Sequence, residues 1–108
     1  IINMSLGGGG ACSTTFQNAI NSAVGRGTTV IVAAGNSNGN AANFQPASCA
    51  NVVAVGAVDS NGARSVWSPT QRSNYGSNVD LAAPGSNIWS TLNSGTQGQG
   101  TESYASYG

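Results

Sequence analysis

The sequence predicts an α/β fold, a parallel sheet with crossover helices, and three observations predict it. An apolar run opens the chain at residues 1–5, apolar side chains recur at helical spacing between residues 16 and 24, and a second apolar run occupies residues 29–34. Strand, helix and strand in that order form a right-handed crossover, so the two strands point the same way.

Each element follows from its residues. Residues 1–5 (Ile-Ile-Asn-Met-Ser) read as a short strand, and residues 6–10, with four consecutive glycines, as a turn, because glycine is costly inside a helix or strand. Phe16, Ala19, Ile20, Ala23 and Val24 share one helical face, opposite Gln17, Asn18, Asn21, Ser22 and Arg26. Thr14 and Gln17 match a capping box, and Gly25 or Gly27 can end the helix. Residues 29–34 are β-branched and small without alternation, the pattern of a strand buried on both faces. Asn38-Gly39, Pro46 and Asn61-Gly62 punctuate loops, residues 52–58 supply a third strand and residues 79–82 a short fourth. Residues 93–108 are small and polar, an extended loop or edge ribbon. Because the first two strands are parallel, the turns at residues 6–10 and 35–40 leave from one edge of the sheet, the carboxyl edge where open parallel sheets bind ligands.

Composition narrows the function. The 108 residues have the length of one small domain, able to bury roughly two thirds of the unfolded surface. Three arginines balance three acids, lysine is absent and the net charge is zero, so nothing marks a nucleic-acid or anionic-membrane partner. No apolar stretch has the length of a membrane span. An apolar strand at residue 1, without a basic leader, predicts a partial sequence. Cys12 and Cys49 allow one pairing, and a disulfide there would stabilise by about 4 kcal/mol in the chain-entropy model; two buried free thiols are the alternative. The weakly charged, Asn- and Ser-rich composition favours a secreted, extracellular protein with that disulfide formed.

Two segments come together at the carboxyl edge: Ser5-Leu6-Gly7-Gly8 and Ala33-Ala34-Gly35-Asn36-Ser37. Glycines at a strand end let a peptide backbone lie alongside, and an Asn at a strand terminus can offer its amide to an oxyanion. Taken singly, Asn36 reads as a turn residue and the glycines as a connection. Histidine is absent, so no nucleophilic triad exists within these residues, and neither cysteine has an imidazole to make a thiolate. Asp59, Asp80 and Glu102 are scattered, and two cysteines are too few for a zinc site.

The strings Asn3-Met4-Ser5-Leu6-Gly7-Gly8, Val32-Ala33-Ala34-Gly35-Asn36, Asn43-Phe44-Gln45-Pro46-Ala47, Val53-Ala54-Val55-Gly56, Ser73-Asn74-Tyr75-Gly76 and Asp80-Leu81-Ala82-Ala83-Pro84-Gly85 are similar, in order and separation, to the subtilases, especially the proteinase K branch. The resemblance covers nearly the whole chain. It implies part of a three-layer α/β/α peptidase domain, residues 1–108 being a central segment without the triad Asp, His and Ser. It implies a secreted serine endopeptidase acting on peptide or protein substrates through an acyl-enzyme, inactive without the remainder of its own catalytic domain. Ser5, Leu6, Gly7 and Gly8 would hold the substrate backbone, Ala33, Ala34 and Gly35 would wall the pocket before the scissile bond, and Asn36 would donate to the oxyanion. Asp and His would precede residue 1 and the nucleophile would follow Gly108 closely. The resemblance also implies a structural calcium ion held by Asp80 with the carbonyls of Ala50 and Val52, hard oxygen ligands that suit it; an Asp80 bonded to nearby backbone or to Tyr75 is the alternative. Catalysis itself needs no cofactor.

Trp67-Ser68-Pro69-Thr70-Gln71-Arg72 departs from the family by interposing extra residues before Ser73, which predicts a lengthened surface loop. Two other functions share parts of this pattern. A dinucleotide-binding half-domain fits the strand–glycine–helix order but has Asn36 where an acid should meet the ribose. A non-catalytic secreted homologue that keeps the groove and binds peptides is the alternative these residues leave open, because every triad position lies outside them.

Overall fold

The computed structural model describes residues 1–108. Strand β1 (Ile2–Met4) is followed by a two-residue strand β2 (Gly8–Gly9), helix α1 (Thr14–Gly25) and strand β3 (Val30–Ala33). A 3-10 turn at Ala41–Asn43 leads into β4 (Phe44–Gln45), then come β5 (Val53–Val58), β6 (Leu81–Pro84), β7 (Ile88–Asn93) and β8 (Glu102–Tyr107). The main sheet has the order β1-β3-β5-β6 and every pair in it is parallel, as the crossover pattern requires. Two antiparallel pairs, β2 with β4 and β7 with β8, lie outside it.

Helix α1 forms where the apolar spacing predicts it, with its start displaced from the predicted capping box. Ser13, not Thr14, is the N-cap, its hydroxyl accepting from the Phe16 N–H at 3.3 Å. Gln17 leaves the outer face and crosses to the loop before β5, where its Oε1 accepts from Ala50 N at 2.8 Å and its Nε2 donates to Ala50 O at 3.1 Å. Ala19 is exposed, so the buried stripe runs through Phe16, Ile20, Ala23 and Val24. Gly27, at φ 84°, terminates the helix: its N–H reaches Val24 O and the Thr28 N–H reaches Ala23 O, the paired bonds of a Schellman ending.

The sheet has unequal faces. Ile20 packs with Val30, Val32, Ala34 and Ala54, and these five are at most 3% exposed. Ile31, Ala33, Val53, Val55 and Ala57, pointing the other way, are only half-buried. The unalternating run at residues 29–34 predicted burial on both faces; the single helix of this chain covers one, and the other keeps its apolar side chains without a second layer.

Two more predictions shift, and the ribbon read at residues 93–108 gains its partner strand. The glycine segment at residues 6–10 is a turn only in part, since Gly8 and Gly9 pair with Gln45 and Phe44. The fourth strand lies at Leu81–Pro84 rather than residues 79–82. The small, polar end of the chain is a ladder: β8 pairs along its whole length with β7, a strand the sequence reading missed because Ile88–Asn93 mixes apolar and polar residues without a buried face. Cys12 and Cys49 form a disulfide, Cα atoms 4.9 Å apart, that ties the entrance of α1 to the loop before β5.

Candidate active-site cleft

Met4 lies opposite Val32 in the parallel ladder, so the chain leaves β1 and β3 side by side. Ser5 to Gly9 form one wall of a cleft of about 290 Å³ and Ala33 to Ser37 the other, with Phe44 and Gln45 at one end. Asn36, Ser5, Leu6, Gly7, Gly8, Ala33, Ala34 and Gly35, the eight residues to which the resemblance gave substrate or oxyanion roles, all line it. An adjoining hollow of about 360 Å³ shares Ser5 and residues 33–36 and continues toward Trp67, Gly85 and Gly108. No ionisable side chain lines either space.

The glycine wall is placed by β4. Besides the Gly8 and Gly9 pairing, Gly10 N donates to Asn43 O at 2.8 Å. A side chain at Gly7 would press on Gln45 O, 3.0 Å from the added carbon, so glycine is what lets the two backbones approach. Ser5, Leu6 and Gly7 are left exposed beyond the end of β1, available to an extended peptide.

The Asn36 wall is held more elaborately. Gly35 adopts φ 100°, a region that suits glycine, and turns the chain out of the sheet after Ala34 N has bonded Val55 O at 2.9 Å. Asn74, buried to 2% exposure, reaches into this turn: its Oδ1 accepts from Ser37 N and Gly39 N, both at 2.9 Å, and its Nδ2 donates to Ala34 O at 2.9 Å. Its backbone N–H donates to Gly35 O at 2.7 Å. Arg72 N donates to Asn36 O and Asn38 N to Arg72 O, each at 3.1 Å. Arg64 adds an outer brace, Nη1 donating to Asn38 Oδ1 at 2.8 Å and to Ser73 O at 2.7 Å, with its guanidinium 5.1 Å from the centre of the Tyr75 ring. Asn36 itself is exposed, and no group of the chain bonds its carboxamide. The main chain at residue 36 is therefore fixed while its side-chain donor stays free.

The acids lie away from the cleft. Asp59 Oδ1 accepts from Asn61 N and Ala63 N in a loop, and Glu102 bonds Gln99 in the β7–β8 region. Asp80 Oδ2 accepts from Ala54 N at 2.7 Å, the backbone contact the sequence left open as an alternative to calcium. Ala50 O, one of the carbonyls assigned to that ion, already accepts from Gln17 Nε2.

Sequence reasoning missed Asn74 and Trp67. Asn74 stands in the quoted Ser-Asn-Tyr-Gly string, but its partners are 35 to 40 residues away and no local pattern announces them. Trp67 belongs to the predicted surface loop, which is a hairpin closed by Val66 and Arg72. Its indole turns inward, Nε1 donating to Gly85 O at 2.8 Å and the ring packing against Gly108.

Comparison with known proteins identifies the family and the fold. The model described as the subtilase family matches residues 1–108. An extracellular protease of Xanthomonas campestris is 61% identical over 107 residues, 99% of this chain and 18% of the relative. An extracellular basic protease of Dichelobacter nodosus is 45% identical over 104 residues, 96% of this chain and 16% of the relative. A solved protease of Pseudoalteromonas arctica superposes with a TM-score of 0.84 at 49% identity, covering 99% of this chain and 32% of that one. A cold-adapted subtilisin-like serine proteinase superposes with a TM-score of 0.73 at 39% identity, covering 97% of this chain and 34% of the other. The chain thus spans under a fifth of the length of these curated relatives.

Proposed function

This chain belongs to the subtilase family, and on that premise we propose that it is part of a secreted serine endopeptidase of the proteinase K-like branch, hydrolysing peptide bonds through an acyl-enzyme. Asn36 donates its side-chain amide to the oxyanion of the tetrahedral intermediate, and Ser5 to Gly8 align the substrate backbone as an added strand. The single observation that carries this reading is that a free, exposed carboxamide and an exposed glycine ribbon share one cleft at the tips of adjacent parallel strands. The Asp, His and Ser of the triad come from the remainder of the domain, which also covers the half-buried face of the sheet. Export agrees with the relatives named extracellular and with the Cys12–Cys49 disulfide.

The test is kinetic. In the intact enzyme, Asn36→Ala lowers kcat about 100- to 1,000-fold with KM little changed, a magnitude known from subtilisin, itself a subtilase, and carried over rather than derived. An unchanged kcat refutes the assignment. A serine-directed fluorophosphonate labels a serine soon after Gly108; complete failure to label favours the peptide-binding homologue instead. Ala33, Ala34 and Gly35 bring no charge to their wall, so specificity is broad, with a preference for an apolar or aromatic residue before the scissile bond. Cleavage mapping that returned strict selection for Arg or Lys would sink that preference.

Calcium belongs to the same proposal as a structural ion held by Asp80 with the carbonyls of Ala50 and Val52, and it takes no step in hydrolysis. In its favour, Asp80 is exposed and uses one carboxylate oxygen on Ala54 N, leaving the other unpartnered; against it, Gln17 already occupies part of the Ala50 carbonyl. Calcium at about 100 times its Kd would add about 2.7 kcal/mol of stability to the intact protein, and Asp80→Asn would abolish the gain. No calcium-dependent change in unfolding for the unsubstituted protein would remove the ion from the account.

A further inference from the structure

We propose that Asn74 is a positioning residue that sets the catalytic reach of Asn36. The inference rests on the reading of Asn36 as the oxyanion donor and adds to it the group that aims it. Oxyanion stabilisation depends on a donor fixed before reaction, because a donor that must reorganise loses much of its advantage. Asn36 is exposed and its carboxamide bonds no group of this chain, so no residue of the chain acts on the side chain directly. What this chain contributes to its orientation comes through the main chain.

Besides the Arg72 N–H on Asn36 O and the Asn38 N–H on Arg72 O, that main chain is held by one buried carboxamide. Asn74 Nδ2 takes Ala34 O, two residues before Asn36, while Asn74 Oδ1 takes Ser37 N and Gly39 N, one and three residues after it. Asn74 N takes Gly35 O, so residues on both sides of Asn36 bond a single side chain and its own backbone. The direction of the amide is fixed by its partners, since only oxygen can accept from two N–H groups and only nitrogen can donate to a carbonyl. At 2% exposure water cannot substitute for these bonds. Gly35 completes the fit, because a side chain there would collide with Asn74 Nδ2. Asn74 makes no contact with the cleft itself, being absent from its lining, and so acts only through the turn.

A double-mutant cycle on the intact enzyme tests this, with kcat, KM and thermal unfolding measured for Asn74→Ala, Asn36→Ala and the pair. Positioning predicts that Asn74→Ala lowers kcat about tenfold or more with KM changed less than about threefold, and that the same substitution costs less than about twofold in kcat once Asn36 is Ala. An equal factor in both backgrounds, with or without a lowered Tm, means a general structural role and overturns the inference. So does an unchanged kcat in Asn74→Ala. Asn74→Asp, isosteric and able to accept from Ser37 N and Gly39 N while losing the bond to Ala34 O, runs the same cycle where Asn74→Ala does not fold. A charge effect on the oxyanion persists in the Asn36→Ala background, and a positional one vanishes there. If Asn36→Ala alone leaves kcat intact, the oxyanion reading fails and this inference falls with it; if Asn36→Ala is slow but the two losses multiply, only the role of Asn74 is refuted.

Discussion

The turn at residues 34–39 and the β7–β8 ribbon with its connection, residues 88–107, are both rich in Asn, Gly and Ser. They are held by opposite means. In the ribbon, ladder bonds join residues 88–93 to 102–107, and Trp89 and Tyr104 stand 73% and 72% exposed. In the turn no ladder continues, yet a buried Asn74, the Arg64 guanidinium and the backbone of Arg72 converge on six residues. The difference teaches that such composition does not by itself mean looseness: where a buried carboxamide satisfies three backbone groups, a glycine-containing turn is as determined as a strand.

That contrast breaks first at Gly35. Gly35→Ala must place a side chain at φ 100° and push Asn74 off its partners; the strain and the orphaned backbone groups together cost about 2–4 kcal/mol, read by urea unfolding of the intact enzyme. A loss below 0.5 kcal/mol on the order-of-magnitude scale of surface changes would show the turn to be slack. Arg64→Ala removes two charge-assisted bonds on the exposed side of the same turn and should cost about 1–2 kcal/mol, with kcat falling less than in Asn74→Ala. A larger kcat loss than Asn74→Ala would move the anchor of the turn outward to Arg64. Gln99→Ala removes a side-chain bond to Glu102 between β7 and β8 and should shift stability by less than about 0.5 kcal/mol without altering kcat. A cost as large as that of Arg64→Ala would erase the distinction between the two regions.

The sequence disclosed the crossover because its evidence is local: Phe16, Ile20, Ala23 and Val24 are spaced for a helix, and Val30 and Val32 sit in a β-branched run. The meeting of Ser5 and Asn36 followed from topology, since parallel strands must end at the same edge. Other features depended on distant partners. Gln17 reads as an outward polar residue until the loop carrying Ala50 arrives beside it, and Ser13 rather than Thr14 caps the helix because its hydroxyl is the one that reaches Phe16 N. Asn74 is the strongest case, because a polar residue between Ser73 and Tyr75 gives no sign of burial until the Gly35 turn closes around it.

A structure of the intact enzyme inhibited by a phosphonate bearing a short peptide tests the central claim most directly. The account predicts a phosphonate oxygen about 2.7–3.1 Å from Nδ2 of Asn36, with the peptide lying antiparallel or parallel along Ser5 to Gly7. A phosphonate oxygen bonded elsewhere, with Asn36 turned to solvent, would contradict it.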